Sequence, residues 1–409
     1  MKIGIDARMI KATGIGRYIE NLILELAKIN GEHAQRPIPR SLGEEGSQKV
    51  EVGNQYVLFL RKEEFDNFDL PAALTKEGKI LEPKAQSSSN FSKVLADFHW
   101  YSKAEQLGFP KVIASQNLDL MHFPHFNVPL LYNGKFVITI HDLTLHTHKT
   151  IRASTKSALT YQIKHLLYKY IIRRAAKKAA KIFVPSNFTK SDVLKLLKVP
   201  EGKVVVTLEG GPSEELLKLE PDFGVLEKFN IKKPFIFYVG NCYPHKNIES
   251  LVKALEFLPK NITLVLAGKS DEFHQKLKLK IKELGLQDRV VMTDFVSDGE
   301  LAALYKSASV YAFPSFNEGF GLPPLEAMSF GLPVATSSAS CLPEILGDSA
   351  LLFNPRDPKD IAEKIGNIME NEKLRGELVE KGLRQVKKYS WAKMAKETLN
   401  AYSEVLGND

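Results

Sequence analysis

Apolar positions along the chain come in short, nearly unbroken runs separated by longer stretches of helical period. In the first half the runs are MKIGID, QYVLFL, DLMHF, FVITIHD, KIFVP and KVVVTL; in the second they are FIFYVG, ITLVLAG, RVVMTDF, SVYAFP, LPVATS and ALLF. Runs of this kind read as strands buried on both faces, not as half-exposed strands, which would alternate. Between them lie amphipathic stretches such as RYIENLILELAKI, NIESLVKALEFL, EFHQKLKLKIKELGL and DGELAALYKSA. Strand–helix alternation of this type predicts an α/β protein with parallel sheets covered by helices on both sides. Two series, each of domain size, predict two Rossmann-like domains whose strand carboxyl ends face an interdomain cleft, where α/β sheets place their chemistry.

The turn-rich, charged segment 207–233 separates the two series and places a first domain at 1–210 and a second at 211–389. Residues 31–54, polar and rich in Gly and Pro, read as a surface insertion, and 86–90 (QSSSN) as another loop. The closing pattern YSWAKMAKETLNAYSEVL predicts a helix within 390–409, with Trp391, Met394, Leu399 and Leu406 on its apolar side, returning to pack on the first domain.

Composition adds less. With 409 residues, 44% hydrophobic and 25% charged, the chain can build more than one core. No run of 18 apolar residues predicts a membrane span, and the N-terminal apolar stretch is broken by Asp6 and Arg8, unlike a secretory signal. Two distant cysteines, Cys242 and Cys341, fit a reducing cytoplasm. The net charge of +8 changes the picture more, because it is concentrated: residues 161–203 hold eleven Lys and Arg against two acids, while the rest is close to neutral. That segment is either a solvated helix face or a surface for an anionic partner: a lipid headgroup, a nucleic acid or a phosphorylated substrate, with peripheral contact with an anionic membrane as a further hypothesis.

Four constellations can carry chemistry. TGIGRY (13–18) follows the first strand; Gly14 and Gly16 allow backbone amides near a phosphate, with Arg17 beside them. A dinucleotide fingerprint needs a third glycine where Ile19 stands, and a tight turn explains the pair as well. His141 and Asp142 follow an apolar strand at the end where a histidine can exchange a proton or hold a hydroxyl. His146 and His148 lack the partners of a metal site. In FIFYVGNCYPHKN, Gly240 and Asn241 end a strand, and Lys246 stands before a helix, where a cation opposes the macrodipole unless an anion lies between. Finally NEGFGLPPLE (317–326) sets Gly319 and Gly321 between Glu318 and Glu326 at a strand-to-helix turn. There the amides of Phe320, Gly321 and Leu322 can meet a phosphate and the two carboxylates can accept from hydroxyls.

Together these segments resemble glycosyltransferase family 4, retaining enzymes of the GT-B fold, over nearly the whole chain. EGFGLPPLEAMSFGLPVATS (318–337) matches the family's two-glutamate motif, and YVGNCYPHKN its donor-phosphate segment. LPEILGDSALLFNPRD and YSWAKMA are familial too, and IDARMIKATGIGRYIENL with ITIHDL is most similar to bacterial mannosyltransferase-type members. The resemblance implies a glycosyltransferase; the cysteine usage places it in the cytoplasm, and the basic segment at the inner face of the membrane as a peripheral protein. It would move a hexose, mannose from GDP-mannose, to a saccharide or lipid-linked saccharide acceptor. It further implies that Glu318 holds the donor sugar, Glu326 the ribose, and the 320–322 amides the donor. Lys246 would neutralise the diphosphate, Gly16 would lie near the diphosphate or acceptor, and His141 would touch the transferred hexose. Where the family carries arginine this chain has Asn241, which cannot replace a bidentate guanidinium, so Lys246, Arg17 or His245 must serve. No Asp-x-Asp pair appears, so no metal clamp is indicated, and the nucleotide-sugar is a substrate with no separate cofactor.

The alternatives are a UDP-sugar-dependent hexosyltransferase of the same family, a phosphorylase or epimerase of similar build, and a nicotinamide-dependent oxidoreductase suggested by TGIGRY. A nucleic-acid-binding module is not expected, because no reading element is recognisable.

Overall fold

The computed structural model describes residues 1–34, 53–70, 90–147, 158–212 and 214–407. Seven strands make the first sheet: β1 (Lys2–Asp6), β2 (Gln55–Leu60), β3 (Phe91–Leu95), β4 (Leu120–Phe123), β5 (Phe136–Thr139), β6 (Ile182–Val184) and β7 (Val204–Val206). Six make the second: β8 (Phe235–Val239), β9 (Thr263–Ala267), β10 (Val290–Asp294), β11 (Val310–Phe313), β12 (Val334–Ser337) and β13 (Ala350–Phe353). The orders are β3-β2-β1-β4-β5-β6-β7 and β10-β9-β8-β11-β12-β13. Every pairing is parallel. Each order reverses once, between β1 and β4 and between β8 and β11, and such a reversal opens a crevice at the carboxyl ends.

Burial on both faces explains the unbroken apolar runs. Along β2, Tyr56, Leu58 and Leu60 pack into one core while Val57 and Phe59 face another, with Phe109, Met121 and Phe123. The period of two is present but unreadable, because both faces are dry. The edge strand β3 (FSKVL) differs. It was not among the predicted strands, and only Phe91 of its residues is buried. A short, half-exposed edge strand after a polar stretch carries little apolar signal.

The first helix also differs from expectation. It spans Thr13–Ala34 and so takes in the whole of TGIGRY. The chain leaving β1 turns tightly, with the amides of Ile10, Ala12 and Gly16 donating to the carbonyls of Ala7, Met9 and Ala12. Gly16 lies against the Ile10 carbonyl where no Cβ fits, whereas Gly14 is open. Most of the insertion placed at 31–54, residues 35–52, lies outside the described residues, as does most of the 86–90 loop.

The helix Trp391–Leu406 lies against Thr13–Ala34. Its buried side is Trp391, Met394, Ala395, Thr398, Ala401 and Tyr402, while Leu399 and Leu406 are only partly buried. Trp391 and Met394 are thus buried as expected, while in place of Leu399 and Leu406 the helix turns small and hydroxyl-bearing residues inward. Tyr402 OH lies 2.6 Å from Nδ1 of His122, whose Nε2 is 2.8 Å from Thr139 Oγ1, and Thr139 donates to Tyr18 OH at 3.1 Å. Burial pushes the His122 imidazole down to about 3, so this chain holds a neutral histidine.

Candidate active site

The carboxyl ends of the two sheets meet. Asn317 Nδ2 donates to Thr144 Oγ1 at 2.8 Å, and Ser186 Oγ donates to the Gly319 carbonyl at 2.7 Å. Gly319 abuts the carbonyl oxygen of His141 so closely that a Cβ would overlap it. The helix Asn187–Leu197 directs its first amides at the second domain: Asn187 N and Phe188 N donate to the two carboxylate oxygens of Glu344 at 2.8 and 2.9 Å. A carboxylate at a helix N-terminus satisfies both orphan amides and the macrodipole.

Within this cleft the two acids of NEGFGLPPLE point to different cations. Glu318 Oε1 lies 2.7 Å from Lys246 Nζ, with both side chains less than one-fifth exposed. Lys246 ends a turn (Pro244–Lys246) after β8, and its ammonium also stands 5.7 Å from the Phe313 ring centre. Asn247 holds that turn, although it does not cap the next helix with its side chain. With a left-handed φ of 57°, it donates Nδ2 to the carbonyls of Pro314 and Pro355, at 3.1 and 2.6 Å. Glu326, 3% exposed, pairs with Arg17 of the first domain and accepts from Tyr305 OH at 3.1 Å. Burial disfavours the Arg17 cation, but Glu326 outweighs it and holds the guanidinium pKa up. Burial, then Glu326, raises the Tyr305 phenol, which therefore stays a donor.

The glycines serve the turn between these acids. Gly321 has φ 95° and forms the N-cap of helix Leu322–Ser329. No side chain caps this helix, and Pro323 and Pro324 have no N–H, so the amides of Gly321 and Leu322 are the donors at its mouth. The Phe320 ring turns the other way, edge-on to Tyr389 at 5.3 Å in the core, so only its backbone is available. Gly240, φ 146°, bonds to Ala267 O at 2.9 Å. Asn241 folds its side chain onto the Tyr243 amide at 3.3 Å, so it acts as a turn former.

The structure thus gathers Arg17, Lys246, Glu318, Glu326, Gly319 and the 321–322 amides at the cleft, with His141 opposite. Gly14 and the side chains of Asn241 and Phe320 have no part in that cluster. His141 Nε2 lies 3.0 Å from the Pro124 carbonyl and Nδ1 lies 3.2 Å from Glu209. Glu209, 5% exposed, was not singled out from the sequence, and neither was Tyr305. Nothing in TLEGG or AALYKS marks them; their roles arise from residues 68 and 21 positions away. His146 is 2.8 Å from Tyr168 OH, and His148 lies outside the described residues. A groove of about 780 Å³ also opens beside Tyr305, Phe330 and Arg375, but it borders the residues preceding β11 and β12, at the opposite end of the sheet.

Two parallel sheets facing a polar cleft, with paired carboxylates and cations at a glycine turn, define the GT-B class of sugar-transferring enzymes. The family comparisons agree. The model described as Glycosyltransferase Family 4 matches residues 82–210, and that described as Glycosyl transferases group 1 matches 226–385. The chain belongs to this glycosyltransferase family, and it is an enzyme. It is 27% identical to O-antigen chain mannosyltransferase B of Escherichia coli, over 98% of this chain and 99% of that one. It is 26% identical to O-antigen chain mannosyltransferase RfbU of Salmonella typhimurium, over 71% and 76%. Among solved structures, sucrose-phosphate synthase from Thermosynechococcus elongatus superposes with a TM-score of 0.72 at 18% identity, each chain fully covered. Anabaena Alr3699/HepE, solved with UDP and glucose, gives 0.68 at 16%, covering 99% and 100%. The oxidoreductase reading finds no support: Gly14 and Gly16 lie inside a helix, and Ile19, where a third glycine is needed, is core.

Proposed function

We propose that the protein transfers mannose from GDP-mannose to a saccharide or lipid-linked saccharide acceptor, with retention of the anomeric configuration. The observation that carries this reading is the Lys246–Glu318 pair beside Gly319, whose backbone abuts the His141 carbonyl of the first domain. The likeness to two mannosyltransferases supports mannose as the sugar. In this reading Glu318 accepts from hexose hydroxyls and Lys246 shifts to the diphosphate. The bond from C1 to the phosphate oxygen breaks, and Lys246 with the Gly321 and Leu322 amides balances the charge that grows there. The acceptor hydroxyl attacks C1 from the face the phosphate leaves, and its proton passes to the departing phosphate oxygen. His141 holds a hexose hydroxyl. Glu326 takes the ribose hydroxyls, which frees Arg17 to supply the guanidinium that Asn241 lacks. Anomeric-proton NMR of the product tests retention: an α-linked product from the α-linked donor is expected, and a β-linked one contradicts it.

A lipid-linked acceptor implies contact with a membrane. Among the described residues no helix is long and apolar enough to cross one. Support for peripheral contact comes from helix Ala158–Lys178, which contains six Lys and Arg and no acid. Leu166, Tyr170, Arg173 and Lys177 follow helical spacing on one exposed face, with Leu166 66% and Tyr170 58% exposed. Ile171, Ile172, Ala175 and Ala176 fill the opposite side. Apolar and basic residues mixed on one face suit an anionic headgroup layer. Sedimentation with phosphatidylglycerol vesicles should be strong at low salt and lost at high salt. Arg173→Glu with Lys177→Glu should lower partitioning about tenfold or more. Equal binding to phosphatidylcholine vesicles, or none to either, contradicts the contact.

A further inference from the structure

His141 is held from two sides. It follows β5, and its Nε2 faces the carbonyl of Pro124, at the end of the neighbouring strand β4, at 3.0 Å. Its Nδ1 faces Oε1 of Glu209 at 3.2 Å, and only 7% of that side chain is exposed. The Tyr18 ring packs edge-on against the imidazole at 4.9 Å and fixes its plane. Both partners of the ring are acceptors, so the arrangement calls for a proton on each nitrogen.

Glu209 is itself fixed. It lies just beyond β7, on the chain that crosses between the two domains. Next to it, Gly210 lies against the Trp391 indole so closely that a Cβ would overlap it, and Trp391 Nε1 donates to the Gly211 carbonyl at 2.9 Å. Trp391 begins the helix that returns to the first domain. The carboxylate facing His141 therefore sits where both interdomain crossings are tied together.

We propose that Glu209 is a positioning residue for His141. It binds the Nδ1 proton, fixes the ring's orientation, and so presents Nε2–H as a donor that a hexose hydroxyl takes over from the Pro124 carbonyl. A buried carboxylate on the far nitrogen of a working histidine sets which protons the ring carries. This inference rests on the reading of His141 as the hexose contact, but the protonation it assigns stands apart from any donor.

The test therefore has two arms. The first is imidazole ¹⁵N spectroscopy of the full chain at neutral pH, with the His141 signals assigned through His141→Gln. The native ring should show both nitrogens protonated, and Glu209→Ala should lose the proton from Nδ1. The second is kinetic: Glu209→Ala should lower kcat about tenfold or more while Kd for the nucleoside diphosphate alone, which lacks the hexose, stays within about twofold. If Glu209→Ala does not fold, Glu209→Gln, which keeps the volume and an acceptor oxygen, carries both arms with a smaller fall of about threefold. A native ring with one protonated nitrogen, or a ring that still carries both protons after loss of the carboxylate, overturns the proposal. So does an unchanged kcat, or a joint loss of kcat and nucleotide affinity, which marks a purely structural role at the crossing. Failure of every nucleotide-sugar to turn over strikes the proposed function instead and leaves the spectroscopic arm to decide the positioning.

Discussion

Lys246→Ala is expected to lower kcat about 10²–10³-fold, a loss of about 3–4 kcal/mol of transition-state stabilisation. The ammonium stands in a cleft where its side chain is 18% exposed, close to where the phosphate charge would grow. Asn241, where the family resemblance implies an arginine, is turned onto its own loop. Affinity for the nucleoside diphosphate should fall with kcat, because the same cation meets both ground and transition states. Lys246→Arg should recover part of each. Calorimetric Kd values beside single-turnover rates check this, and retention of both in Lys246→Ala would remove Lys246 from the site.

Glu318→Gln is expected to lower kcat about a hundredfold while Kd for the nucleoside diphosphate changes little or tightens. The amide keeps the volume and one acceptor oxygen but loses the charge that strengthens hydrogen bonds from hexose hydroxyls. It also leaves Lys246 without its 2.7 Å partner, so the lysine is freer to meet a diphosphate. Circular dichroism should be unchanged, because the pair sits at the cleft and not in either core. The opposite response of nucleotide affinity in the two variants separates a sugar-holding acid from a phosphate-holding cation. A Glu318→Gln enzyme with full turnover on its true donor would refute the assignment.

Most of the architecture was legible because parallel sheets covered on both faces leave unbroken apolar runs; twelve such runs correspond to twelve of the thirteen strands among the described residues. The exception, β3, is an edge strand with one buried residue, and nothing in FSKVL distinguishes it from a loop. In the candidate site, Glu318 and Glu326 were visible because Gly321 and the two prolines mark a turn that ordinary sequences do not need, and Lys246 because a cation stands just before a helix. Arg17 was visible through its neighbour Gly16. The pairing of Arg17 with Glu326, the Asn317–Thr144 bond and the Glu344 carboxylate on helix Asn187–Leu197 were not. These contacts span 309, 173 and 157 residues and exist only where two domains meet, so local pattern carries no trace of them.

The measurement that tests the central claim most directly is a panel of nucleotide-sugars, among them GDP-mannose, UDP-glucose and UDP-galactose. Each is incubated with the enzyme and a mannose-containing acceptor, and nucleotide release and glycoside product are quantified together. The account predicts GDP release matched one-for-one by mannoside formation, with UDP-sugars slower by at least about tenfold. Transfer from a UDP-hexose with GDP-mannose inert would contradict the proposed donor. Glycoside formation with no dependence on Lys246 or Glu318 would contradict the site.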